Sequence, residues 1–113
     1  MSAQLELPDG RVLALDEDAY LLDWRHWSPA VAETMAAADG LDLQPEHWQV
    51  LDILRAYYQE YEIAPPMRAL IRILKQRTGD DRFASRQLYR LFPQGPAKQA
   101  CRYAGLPRPV SCI

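Results

Sequence analysis

Leu5-Glu6-Leu7-Pro8-Asp9-Gly10-Arg11-Val12-Leu13-Ala14-Leu15-Asp16-Glu17-Asp18-Ala19-Tyr20-Leu21-Leu22 separates a mixed α+β chain from an all-helical one. Leu5 and Leu7 run into Pro8-Asp9-Gly10, a strong turn signal, and Val12, Leu13 and Leu15 follow it. Apolar residues on both sides of a Pro/Gly turn read as paired strands. Asp16-Glu17-Asp18 reads as a second turn and Tyr20-Leu21-Leu22 as a short third strand. The chain is therefore expected to open on a small β-meander.

Beyond this stretch the sequence reads as about five helices. Ser28 is a candidate N-cap with Pro29 at the first helical position, where a missing N–H costs nothing, and Gly40 marks that helix's end. Pro45-Glu46 opens the longest helix, running to about Tyr61. Its Val50, Leu54, Tyr57 and Tyr61 fall at helical spacing, and Trp48, Leu51, Ile53 and Tyr58 widen the apolar face. After Pro65-Pro66 a third helix carries Met67, Leu70, Ile71 and Leu74 inward. A short fourth carries Leu88, Leu91 and Phe92, and a fifth runs from Pro96 to about Ala104, with Gly105 as a left-handed stop. The expected fold is α+β: an N-terminal β-meander packed against these helices, then a flexible C-terminal arm. One domain spans residues 1–113, with 105–113 as the mobile arm. Pro107 and Pro109 prevent that arm from continuing the helix.

Charge divides the chain. Residues 1–62 hold thirteen acidic residues against Arg11, Arg25 and Arg55, a net of −10, whereas residues 63–113 hold ten basic residues against Asp80 and Asp81, a net of +8. Either the two halves attract and pack, or the basic half faces something anionic. No apolar run approaches the roughly 20 residues that span a bilayer. The first residues, Met1-Ser2-Ala3-Gln4, lack the basic start and apolar stretch of a signal peptide. A cytoplasmic protein without membrane association is expected, in which a disulfide would be functional rather than structural.

Two cysteines separated by ten residues match no zinc spacing and no C-x-x-C pair. No metal and no cofactor are expected, and His26 and His47 read as surface or partly buried residues. Cys101 shares a helical face with Ala97, Ala100 and Ala104 and suits a small buried hydrophobe. Cys112, on the proline-limited tail, has no core to fill. Lys98, Arg102 and Arg108 lie close in sequence and would favour its thiolate, the reactive form. Eleven steps of extended chain reach at most about 35–40 Å from Cys101. Cys112 can thus present sulfur outward, or fold back to the roughly 4.4–6.8 Å Cα separation of a disulfide with Cys101. A nucleophile, reach and a resolving thiol are all present.

The run Leu88-Tyr89-Arg90-Leu91-Phe92-Pro93-Gln94-Gly95-Pro96-Ala97-Lys98-Gln99-Ala100-Cys101, with Ala104-Gly105-Leu106-Pro107-Arg108-Pro109 and the terminal Cys112-Ile113, resembles the DsrC/TusE family. Pro45-Glu46-His47-Trp48 and Ile63-Ala64-Pro65 extend the likeness upstream, so it covers essentially the whole chain. The resemblance implies that Cys112 is the persulfide-carrying residue of a sulfurtransferase that acts as a carrier rather than through a closed active site. In the TusE-type branch such a protein would accept sulfane sulfur from a TusBCD-like donor complex. It would pass that sulfur towards an MnmA-like thiouridylase for tRNA 2-thiouridine, close to tRNA itself. In the DsrC-type branch it would serve dissimilatory sulfite reductase as a gamma subunit and hold a trisulfide between Cys101 and Cys112. Cys101 matches the second cysteine of that branch, while Val110-Ser111-Cys112-Ile113 lacks the glycine that often precedes the terminal cysteine there. The tRNA-thiolation relay is the leading expectation. A reading from another class rests on residues 66–92, two helices around a short break that carry Arg68, Arg72, Lys75, Arg77, Arg82, Arg86 and Arg90 and would suit a nucleic-acid-binding module.

Overall fold

The computed structural model describes residues 3–81 and 83–109. Strands β1 (Ala3–Glu6) and β2 (Val12–Leu15) pair antiparallel, with Ala3 opposite Leu15 and Leu5 opposite Leu13. The Pro8-Asp9-Gly10 turn closes them: the Leu7 N–H donates to the Arg11 carbonyl at 2.8 Å and the Gly10 N–H to the Leu7 carbonyl at 3.0 Å.

The expected third strand contracts to a single bridge between Leu21 and Leu15. Local hydrogen bonding leaves it no room. The Asp16 carboxylate accepts from the N–H groups of Asp18 and Tyr20 at 2.8 and 2.9 Å. Asp23 then caps a 3-10 turn, Trp24–His26, by accepting from the Arg25 N–H. Side chains that bond nearby backbone compete with a ladder in this way. Tyr20 and Leu21 are nevertheless delivered into the core, each 4% exposed.

Five helices follow: α1 (Pro29–Ala38), α2 (Pro45–Tyr61), α3 (Met67–Thr78), α4 (Ser85–Leu91) and α5 (Pro96–Tyr103). α5 packs against α1, α2 and α4, and α3 lies on α2. Leu51, Leu54, Leu74, Leu88, Phe92, Tyr103 and Leu106 are sealed in between. No described helix is long and apolar enough to cross a membrane.

Three local expectations need correction. Ser28 has the extended backbone of an N-cap, but its hydroxyl makes no capping bond and is buried without a partner among the described residues. Tyr61 is not core: it is 55% exposed, and its ring packs tilted against Tyr57, with centroids 4.6 Å apart, on the rim of α2. His47 is buried, and its ring bonds fix its orientation. Nδ1 accepts from the Gln44 N–H at 2.9 Å, so Nε2 is the nitrogen that donates to the Leu91 carbonyl at 2.8 Å. One imidazole thereby ties the start of α2 to the end of α4.

Candidate functional site

Helix α5 is the platform of the site. Pro96, Gln99, Ala100, Cys101 and Tyr103 form its buried face. Cys101 is only 2% exposed, and burial pushes its thiol up to about 12. It is a protonated small hydrophobe in this arrangement, the first of the two roles its spacing allowed, and a resolving role requires that it be uncovered. Cys112, with residues 110–113, lies outside the described residues.

Lys98, Arg102 and Arg108, near neighbours in sequence, also converge in space. They line one open cleft of about 260 Å³ together with Asp18, Tyr20, Gln94 and Gln99. Two of the three already have carboxylate partners from the acidic half: Arg102 pairs with Asp39, and Arg108 meets Asp18 at 3.0 Å. Lys98 is exposed and forms no ion pair among the described residues. At the cleft wall the Tyr20 hydroxyl donates to the Lys98 carbonyl at 3.4 Å. Burial, and then the neighbouring Cys101, raise the Tyr20 hydroxyl above its ordinary value.

A polar chain crosses the helix. The Gln94 N–H donates to the Gln99 side-chain oxygen at 2.8 Å, the Gln99 amide donates to the Tyr103 hydroxyl at 2.9 Å, and that hydroxyl donates to Asp39 at 2.6 Å. Tyr103 is pushed up to about 12, by burial first and then by the Asp39 carboxylate it serves.

The C-terminal end of α5 is held by residues that sequence reasoning did not single out. The Trp27 indole N–H donates to the Tyr103 carbonyl at 2.8 Å. Arg55 donates through one guanidinium nitrogen to the Ala104 carbonyl at 2.8 Å and through the other to the Trp24 carbonyl at 3.2 Å. Its guanidinium carbon lies 4.3 Å from the Trp27 ring centroid and 5.6 Å from that of Trp24, in cation–π range. Gly105, at φ 72°, passes so close that a β-carbon there would sit 2.4 Å from Trp27 Cδ1. The described part of the arm then stays on the body, with Leu106 fully buried and Pro109 also buried. The one signal that pointed here was Gly105 itself.

The sequence profile described as "DsrC like protein" matches residues 8–113. The chain belongs to the DsrC-like family. Among its relatives, the protein named Sulfurtransferase TusE from Pectobacterium atrosepticum is 45% identical over 105 residues, which cover 93% of this chain and 96% of the relative. The solution structure of Allochromatium vinosum DsrC is similar over 100% of both chains, with 47% identity and a TM-score of 0.90. The crystal structure of the oxidised gamma-subunit of dissimilatory sulfite reductase from Archaeoglobus fulgidus covers 98% of this chain and is covered to 100%, with 40% identity and a TM-score of 0.83. Both branches of the DsrC-like family are thus close to this chain, and with them its expected fold.

Proposed function

We propose that this sulfurtransferase is a sulfur-relay carrier that holds sulfane sulfur as a persulfide on Cys112. The reading is supported by its identity to TusE-named sulfurtransferases along nearly its whole length. In the first step the Cys112 thiolate attacks the outer sulfur of a donor persulfide, and the donor thiolate leaves. In the second an acceptor thiolate attacks the outer sulfur now on Cys112, and the Cys112 thiolate leaves. The sulfur changes hands as a neutral atom, so neither step needs an external oxidant or reductant. Arg108, Arg102 and Lys98 serve the sulfur anion or an acidic partner, and the chain acts as one domain whose tail does the moving. The donor is a TusBCD-like complex and the acceptor an MnmA-like thiouridylase acting on tRNA.

The test is direct. Incubation with a persulfide donor is expected to add about 32 Da per sulfur at Cys112, read by intact and peptide mass. Equal loading of a Cys112→Ser variant would sink the proposal.

A second reading is favoured by Cys101, which lies on α5 close to Tyr20 of the cleft that Arg108 also lines. There Cys101 and Cys112 hold a trisulfide, and the partner is dissimilatory sulfite reductase. A stable mass gain that disappears in both the Cys101→Ala and the Cys112→Ser variants would favour it.

A further inference from the structure

We infer that Arg55 is a positioning residue for sulfur transfer: with Trp27 it clamps the last carbonyls of α5, so that the arm starts from a fixed root at Leu106. The inference rests on Cys112 being the carrier.

Each backbone acceptor at the end of α5 is occupied. The Ala104 N–H serves the Ala100 carbonyl, the Leu106 N–H serves that of Cys101 at 3.0 Å, and the Gly105 N–H serves that of Arg102 at 3.1 Å. These bonds close the helix locally. The next two carbonyls, of Tyr103 and Ala104, point past the helix, and they receive Trp27 and Arg55. Both donors are anchored elsewhere, since Trp27 lies two residues before α1, between it and the 3-10 turn, and Arg55 lies on α2 beside the buried Leu54. The fork of a guanidinium suits the task, because it spans the Ala104 and Trp24 carbonyls while its face lies on two indoles, which an ammonium cannot reproduce.

This root determines the reach of Cys112. Counted from Cys101 the arm spans eleven steps, but from Leu106 only six remain, about 20–22 Å when extended. While Pro109 stays seated and Arg108 holds Asp18, three steps remain, about 10–11 Å. Arg108 also enters the cleft lined by Lys98 and Arg102, so the chain turns back alongside the helix it has just left. A partner therefore meets the arm at a defined place on the body, and the Arg55–Trp27 clasp is the first of the constraints that define it, ahead of the Arg108–Asp18 pair and the seated Pro109.

The experiment compares the full-length wild type with Arg55→Met, Arg55→Lys and Trp27→Phe. Loading of Cys112 from inorganic polysulfide, which needs no docking, is the reference. Loading from a sulfur-charged TusBCD-like complex is the reaction that reads position. For Arg55→Met the half-saturating concentration of the complex is expected to rise roughly three- to tenfold relative to the polysulfide reference, since preorganisation of the arm is lost. Arg55→Lys is expected to restore part of the loss. Hydrogen exchange at Gly105 and Leu106 is expected to quicken by roughly tenfold or more, while the amides of Val50–Leu54 keep their protection. If Arg55→Met does not fold, Trp27→Phe carries the test, since it keeps a six-membered aromatic ring at the position while removing the pyrrole ring with the N–H that serves the Tyr103 carbonyl. Folded variants with wild-type saturation and wild-type exchange at 105–106 would overturn the proposal. A wild type that takes no sulfur from the complex but shows quickened exchange in the variants would count against the relay assignment and leave the clasp standing.

Discussion

Cys101 shows what burial does to one atom. With its thiol raised from about 9 to about 12, the folded chain keeps a proton that the unfolded chain surrenders between those values. The unfolded state then binds fewer protons, so stability is full below about pH 9. It falls as pH rises towards 12, by up to about 1.4 kcal/mol per pH unit for this group. Urea unfolding between about pH 8 and pH 11 is expected to show a steeper alkaline loss for wild type than for Cys101→Ala. A Cys101→Ala curve parallel to wild type would contradict the assignment. For the same reason Cys101 is expected to resist iodoacetamide at pH 8 in the native chain, where roughly one thiol in ten thousand is ionised, and to react after unfolding. Gly105 is constrained more tightly. Its positive φ alone makes Gly105→Ala cost about 1–2 kcal/mol, and the methyl group must also displace the Trp27 ring. A melting temperature within a degree or two of wild type would contradict both costs, since the φ cost alone lowers it by several degrees.

At the scale of elements, much was legible because it is local. Proline at the first helical positions of α1, α2 and α5, glycine after α1 and α5, and the Pro8-Asp9-Gly10 turn each act within a few residues. The helix boundaries followed from them. The bonds that join elements were not legible, because a side chain that donates to a carbonyl leaves no mark on the residue that accepts it. Trp27 reaches Tyr103 across 76 positions, Arg55 reaches Ala104 across 49 and His47 reaches Leu91 across 44, all to backbone oxygens. Of the candidate site, the sequence revealed Lys98, Arg102 and Arg108, whose proximity is local, but not the clasp behind them. His47 tests this point. His47→Phe keeps the edge contact with Phe92 at about the same size, yet strands the Gln44 N–H and the Leu91 carbonyl. It is expected to cost roughly 1–3 kcal/mol, measured by urea unfolding. A cost near zero would mean that water satisfies both stranded backbone groups.

For the molecule as a whole, the opposed charges of the two halves are only partly spent on holding it together. Among the described residues, the ion pairs that join the halves are Arg102–Asp39 and Arg108–Asp18, and the latter is exposed enough to contribute at most about 1 kcal/mol. The other links between the halves include side chains bound to carbonyls, which salt barely screens. By contrast Arg68, Arg72, Arg77, Arg86 and Arg90 are exposed on α3 and α4 without an ion pair among the described residues. The basic half therefore keeps a field in solution that can draw in an anionic partner, and that field weakens beyond about 8–10 Å at physiological salt. Reversing two charges on α4, Arg86→Glu with Arg90→Glu, leaves the core untouched. Stability is expected to change by less than about 1 kcal/mol. Association with the TusBCD-like complex proposed as the donor, followed by stopped flow at about 50 and 300 mM salt, is expected to be slower than wild type at low salt and less sensitive to added salt. Dissociation should change less, because steering acts on encounter. An association rate equal to wild type at low salt would remove α4 from the docking face. A loss of salt-sensitive tRNA binding in the same variant, with association to the complex intact, would assign that face to nucleic acid instead.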